Sequence, residues 1–109
     1  MGLDHEVPGL QDAVDALVLG FNPVRIVLFG SHVRGTAGVA SDIDVLVVVD
    51  KMGHKRHLLG EMLEAVAVLD VSVDPIPTDM QEIERRGDLP GDILRAALRE
   101  GRVVYERVA

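Results

Sequence analysis

The chain has 109 residues, 48 % of them apolar; this length and composition fit one compact domain and exclude a disordered chain. Cysteine is absent, which excludes disulfides and thiolate metal sites, and no apolar run reaches the roughly 20 residues needed to span a bilayer. The net charge of −7, from 18 acidic and 11 basic residues, argues against direct binding of nucleic acid, which depends on neutralising phosphates.

The first half of the chain predicts one helix and two strands. Apolar residues recur on one helical face from Leu10 to Phe21, and Asn22-Pro23 ends this helix. The run VRIVLF, residues 24–29, predicts a strand. The run VLVVV, residues 45–49, contains four valines and is too short for an isolated helix, so it predicts a central strand covered on both faces.

Residues 51–57 form a basic stretch, which we expect to be the solvated start of the next helix. We expect the histidines of this stretch to be exposed, and His32 as well. Asp50 is a candidate for capping this helix or ending the turn before it. A third strand is predicted over residues 71–74, and Pro75 and Pro77 restrict it to a sheet edge or end it. The apolar face of the helix is predicted from residues on one helical stripe: Leu58, Leu59, Met62, Leu63 and Val66.

The last part of the chain predicts two short helices and a final strand. Thr78-Asp79, followed by acidic and amide side chains, predicts a capped helix start. A second helix covers residues 92–100 and stops at Gly101, and residues 102–105 predict a short strand. The alternation of helices and strands indicates an α/β or α+β domain over residues 1–109, with helices packed on a sheet. Since the acidic N-terminus lacks the positive region of a signal peptide, we expect a cytoplasmic protein with no membrane contact.

Two aspartates stand at the start of the predicted central strand. Because strand side chains alternate between faces, Asp42 and Asp44 project to the same side, about 7 Å apart along the chain. This pair suits Mg²⁺, which takes one or two carboxylates and completes its shell with water and substrate phosphates. A third carboxylate on an adjacent strand would let two ions share the site, and Asp70 and Asp74 are both candidates for that position.

Gly30-Ser31 is the predicted phosphate-binding half of the same site. Glycine allows close approach of the backbone to a ligand, and free N–H groups at a helix start bind phosphate, with the Ser31 hydroxyl as a further donor. Arg34 lies one turn later; both a phosphate contact and an ion pair with Asp42 are open for it. The sequence therefore predicts a nucleoside triphosphate held by Gly30 and Ser31 at one end and by metal on the aspartates at the other.

These residues resemble a known superfamily. Gly30-Ser31, ten intervening residues and Asp42-Ile43-Asp44 match the GS-x10-D-x-D signature of polymerase-β-like nucleotidyltransferases. The segments VDPIPTDMQEIERRGD and ILRAALREGRVVYE look like the C-terminal half of bacterial minimal nucleotidyltransferase (MNT) domains. The resemblance implies the polymerase-β-like fold, a small mixed β-sheet with helices packed on it.

The resemblance also implies a chemistry and a partner. In that family the two motif aspartates and a third acidic residue, aligned here with Asp74, bind Mg²⁺ (two ions) and are catalytic, and ATP is the substrate. Minimal members pair with a helical HEPN-type protein, and the MNT protein is the antitoxin that transfers AMP to its partner. A non-catalytic antitoxin that acts by contact, a transferase acting on a small molecule such as an antibiotic, and assembly as a homodimer or hetero-oligomer all stay open.

Overall fold

The computed structural model describes residues 7–38 and 41–108. Within these ranges the helices and strands follow one another in this order: α1 (Leu10–Phe21), β1 (Arg25–Phe29), α2 (Ser31–Arg34), β2 (Ile43–Val49), α3 (Lys55–Val66), β3 (Val73–Asp79), α4 (Met80–Arg86), α5 (Ile93–Glu100) and β4 (Arg102–Glu106). The mixed α/β class predicted from the alternation of elements is confirmed. No helix in the described part of the chain has the length and apolar character that crossing a membrane would require.

The strands form one mixed sheet in the order β3-β2-β1-β4. β1 runs antiparallel to β2 and β4, whereas β2 and β3 are parallel. Every residue from Val45 to Val49 is buried, so β2 is the central, doubly covered strand that its valines predicted. This arrangement brings the end of β1 and the starts of β2 and β3 together at one end of the sheet, which we call the carboxylate end.

Helices cover both faces of the sheet because strand side chains alternate between two apolar cores. On one face α1 and α3 pack on alternate strand residues, with these buried members: Leu10, Ala13, Leu17, Ile26, Leu28, Val45, Val47, Met62 and Val66. On the other face α5 packs on the intervening residues: Val27, Phe29, Leu46, Val48, Leu94 and Ala97. Asp44 has the parity of Leu46, so its side chain belongs to the face that α5 covers.

The third strand runs further than the sequence predicted. β3 continues through Pro75 and Pro77 to Asp79, and its pairing with β2 is unbroken from Val73 onward. β3 is an edge strand, and the two prolines are two residues apart, so the backbone donors that they lack both fall on the open side of the sheet. Of the two outcomes left open, the edge position is confirmed and the termination at Pro75 is wrong.

Most predicted helix ends agree with the structure. α1 has the predicted bounds, and Asn22 caps its C-terminal end, where the Asn22 N–H donates to the Val18 carbonyl at 3.0 Å. The Asp79 carboxylate caps α4 by accepting from the Glu82 N–H at 2.9 Å, as Thr78-Asp79 indicated. α5 ends at Gly101, as predicted.

Of the two roles left open for Asp50, the cap of α3 is wrong. Asp50 does not cap it: His54 does, and the Asp50 carboxylate instead accepts two hydrogen bonds from the Arg107 guanidinium, at 2.9 and 3.0 Å. Leu63 was expected in the apolar face but is 44 % exposed, because α3 buries only the narrow stripe through Met62 and Val66.

Candidate active site

The turn after β1 depends on Gly30. Its φ of 79° and ψ of −151° lie where side chains other than hydrogen are strained, and a Cβ at this position would collide with the Asp44 carboxylate. The Gly30 carbonyl accepts from the N–H groups of Val33 and Arg34, both at 3.1 Å, which closes the single turn of α2. The backbone therefore passes directly against one of the predicted catalytic carboxylates.

Three carboxylates meet at the carboxylate end of the sheet. Asp44 is the register partner of Phe29 on β1 and of Asp74 on β3. Adjacent strands lie about 4.8 Å apart, so Asp44 and Asp74 are neighbours on one face. Asp42 precedes β2 by one residue and is exposed, as is Asp74, whereas Asp44 is half-buried.

The environment of Asp44 disfavours its negative charge. Burial raises the pKa of the Asp44 carboxyl, and the negative charges of Asp74 and Asp42 raise it further. His32 and Arg34 act in the opposite direction but do not cancel this effect. Within the described ranges none of the three aspartates has a cationic partner within 4.0 Å. Such a cluster is a place where a cation is favoured.

The aspartates suit a metal ion that takes only some of its ligands from the protein. Across residues 7–38 and 41–108, no three His, Asp or Glu side chains are arranged so that they could hold a metal ion among themselves. Mg²⁺ does not need such a cage, because it commonly takes one or two carboxylates and fills its octahedron with water and phosphate oxygens. The exposed Asp42 and the half-buried Asp44 could supply that share.

Asp70 stands apart from this cluster. It lies in the turn between α3 and β3, before the segment that pairs with β2 begins at Val73. Asp74, in contrast, is paired in register with Asp44. Of the two candidates for the third carboxylate, the fold brings only Asp74 beside the motif aspartates.

Ser31 and Arg34 lie on the turn that follows Gly30. Ser31 opens α2 and is partly exposed, and the first N–H groups of a helix have no partner within the helix. Arg34 is exposed, and its Nη1 lies 3.3 Å from Oε2 of Glu100 at the end of α5. The ion pair with Asp42 that the sequence left open for Arg34 is therefore not formed.

Two residues near the site were not predicted from the sequence to belong to it. His32 was expected to be exposed but is partly buried, with Nε2 3.3 Å from the Ser41 carbonyl oxygen and its charge acting on Asp44. Glu100 reaches Arg34 across 66 positions of the chain. His32 lies inside the motif, so its position was a usable signal, whereas nothing local marks Glu100.

Comparisons with known proteins identify a family that the chain matches. The profile of the family described as "Nucleotidyltransferase domain" matches residues 9–103. A protein from Methanocaldococcus jannaschii, named "Putative protein adenylyltransferase MJ1305", is 28 % identical over 93 residues, which are 81 % of this chain and 62 % of that protein. The chain thus spans less than two thirds of the length of this relative.

A solved structure shares the fold. The crystal structure of a "putative nucleotidyltransferase" from Sulfolobus solfataricus superposes with a TM-score of 0.61 at 20 % identity, covering 96 % of this chain and 84 % of that one. The family profile spans most of the chain and includes every residue of the carboxylate end described above. The chain belongs to the nucleotidyltransferase domain family.

Proposed function

We propose that this domain transfers AMP from ATP to a hydroxyl group of a partner protein, and that it acts as the antitoxin of a two-protein module with a HEPN-type partner. The observation that carries the proposal is the contact between Gly30 and Asp44 with Asp74 in register beside it. A glycine turn that opens a helix and a group of unpaired carboxylates here share one end of a sheet. These are the two features that a metal-bound triphosphate needs.

Each residue has a distinct part in the proposal. Asp42 and Asp44 would hold Mg²⁺, which would neutralise the triphosphate and polarise the reacting phosphoryl group. Gly30 and Ser31 contact the β- and γ-phosphates through backbone N–H groups and the Ser31 hydroxyl. The acceptor oxygen forms a bond to the α-phosphorus, the bond to the β-phosphate oxygen breaks, and pyrophosphate leaves. Asp74, as a further ligand of the metal, would help to deprotonate the acceptor hydroxyl.

Two observations support a protein as the acceptor. Asp42 and Asp74 are exposed, so a hydroxyl carried on the surface of a folded protein can approach them. The relative from Methanocaldococcus jannaschii carries the name of a protein adenylyltransferase. The antitoxin role and the HEPN-type partner rest on the resemblance of the C-terminal half to MNT domains.

Label transfer tests the chemistry. The domain is co-expressed with the product of the adjacent reading frame, and the purified pair is incubated with Mg²⁺ and ATP labelled at either the α- or the γ-phosphate. We expect the α-label to appear on the partner, the γ-label to be absent from it, and the intact mass of the partner to rise by whole AMP units. Asp42→Asn/Asp44→Asn should abolish transfer, and Asp70→Asn should not.

The same variants separate catalysis from contact. If neutralisation is catalytic, Asp42→Asn/Asp44→Asn loses protection of cells that express the partner. If the double variant still protects, the domain neutralises its partner by binding alone, and the proposed catalytic basis of the antitoxin role is wrong. Transfer by the double variant at the wild-type rate would also contradict the assignment of the aspartates.

A further inference from the structure

An ion pair connects α5 to the turn that follows Gly30. Arg34 Nη1 lies 3.3 Å from Glu100 Oε2, and both side chains are about half exposed. Exposed pairs of this kind contribute little to folding stability. The chain has a second pair of the same type, Arg25 with Glu106, far from the carboxylates along the same strand β1. What distinguishes the first pair is its location.

Both members of the Arg34–Glu100 pair are anchored to the end of β1. Gly101, directly after Glu100, sits so close to β1 that a Cβ there would collide with the Val27 side chain and come within 3.0 Å of the Leu28 carbonyl oxygen. Arg34 closes the single helical turn that begins at Gly30, two residues beyond Leu28. The backbone positions of both residues are thus set by the same strand end.

Arg34 is near enough to the carboxylates to matter to a ligand there. Its backbone N–H donates to the Gly30 carbonyl at 3.1 Å, and Gly30 itself lies directly against the Asp44 carboxylate. Among residues 7–38 and 41–108, the guanidinium donates only through Nη1, to Glu100 at 3.3 Å, and the donors on Nη2 and Nε have no partner there. A guanidinium that donates to a carboxylate through one nitrogen can still donate to a phosphate through the other two.

We propose that Glu100 is a positioning residue that holds Arg34 in place to contact the β- and γ-phosphates of the bound nucleotide. This inference rests on the proposed function, because it requires a nucleotide at the carboxylate end of the sheet. Glu100 itself does not touch the nucleotide. It fixes the orientation of the guanidinium before the nucleotide arrives, so less side-chain freedom is lost on binding.

Nucleotide affinity with and without the outer phosphates tests the inference. The probes are α,β-methylene-ATP and AMP, each titrated against the intact protein with Mg²⁺ by calorimetry. We expect Glu100→Gln to weaken binding of α,β-methylene-ATP by about five-fold, as for losing the orientation of one charge-assisted hydrogen bond, and to leave AMP binding unchanged. Arg34→Ala should weaken the analogue by roughly thirty-fold, and adding Glu100→Gln to it should cause no further loss.

Controls separate positioning from a structural effect. Glu106→Gln removes the other exposed arginine–glutamate pair and should leave both affinities and the melting temperature unchanged. Glu100→Asp, which keeps the charge, should recover part of the lost affinity. If Glu100→Gln binds the analogue as tightly as wild type or tighter, or if its effect adds to that of Arg34→Ala, Glu100 does not position Arg34. Failure of the wild-type protein to bind the analogue at all would instead contradict the proposed function.

Discussion

At the scale of residues, two constraints require glycine at position 30: its backbone conformation strains other residues, and a Cβ there would collide with the Asp44 carboxylate. We expect Gly30→Ala to lower the free energy of unfolding by about 1–3 kcal/mol, because alanine is strained at this φ and its Cβ displaces Asp44. Nucleotide binding should be lost with it. Urea unfolding and calorimetry measure the two effects.

Gly35→Ala is the matched control for Gly30. Gly35 also has a positive φ, 78°, but its ψ of 16° places it in the left-handed helical region, and a Cβ there would meet open space. Gly35→Ala should therefore lower the free energy of unfolding only through backbone strain, by about 1 kcal/mol, and should keep nucleotide binding. Equal losses of stability and binding in the two variants would show that contact with Asp44 is unimportant.

Asp44 should cost stability in the absence of a cation. Burial, and then the charges of Asp74 and Asp42, raise its pKa above the usual 3.8, so the folded protein holds this proton more tightly than the unfolded chain does. The contribution of Asp44 to stability is therefore highest below its unfolded pKa and falls as the pH rises through its folded pKa.

Asp44→Asn tests this sign. Without divalent cations, we expect the variant to be more stable than wild type at pH 7, and the difference to vanish below about pH 4, where the carboxyl is neutral in both states. Urea unfolding across this pH range measures the difference, with Asp70→Asn as the control that shows none. A variant less stable than wild type at pH 7 would mean that another group already compensates Asp44.

At the scale of elements, the Asp79 carboxylate joins two segments. Its Oδ1 accepts from the Glu82 N–H at the start of α4, and its Oδ2 accepts from the Met52 N–H at 3.1 Å, before α3. The hydrogen bond from Glu82 is the largest of the influences that lower the Asp79 pKa. Stability from Asp79 is accordingly present above its unfolded pKa and lost as the pH falls through its folded pKa.

We expect Asp79→Ala to lower the free energy of unfolding by about 1–2 kcal/mol at pH 7, through loss of the helix cap. The loss should shrink in acid, where the wild-type carboxylate is protonated. Asp79→Asn keeps one acceptor oxygen, so its free energy of unfolding should lie between those of wild type and Asp79→Ala. A loss for Asp79→Ala that is independent of pH would indicate that packing, not the charged cap, is responsible.

The prolines of β3 predict how the edge of the sheet behaves. Pro75 and Pro77 are buried, and the donors that they lack fall on the open side of β3. We expect Pro75→Val/Pro77→Val to fold but to self-associate at high concentration, because the edge regains donors that can pair with another strand. Sedimentation velocity measures this, and a variant that stays as dispersed as wild type would show that the edge is protected by something else.

The sequence predicted most elements because each has its own local signal. The stripe of α1, the valines of β2 and the cap at Asp79 act within a few residues, so they can be read without knowing the fold. The length of β3 could not be predicted, because proline is compatible with a strand only where the open side of the sheet receives the missing donors. Whether a strand lies at an edge is a property of the whole sheet.

At the scale of the whole molecule, some residues of the candidate site are predictable from local sequence, and others depend on the fold. Gly30, Ser31, Asp42 and Asp44 form one local motif, whereas the place of Asp74 depends on the register of β3 against β2. Sequence spacing left Asp70 and Asp74 both open, and the parallel pairing brings only Asp74 beside Asp44. Glu100 could not be found from spacing, because a fold-wide contact brings it to Arg34.

Nucleotide-dependent binding of Mn²⁺, a stand-in for Mg²⁺, tests the central claim most directly. Relaxation of water protons reports Mn²⁺ held on the protein in the presence of α,β-methylene-ATP. We predict strong enhancement for wild type and Asp70→Asn, and none for Asp42→Asn/Asp44→Asn beyond that of the nucleotide alone. Equal enhancement in the double variant and in wild type would contradict the assignment of the metal and nucleotide to the carboxylate end of the sheet.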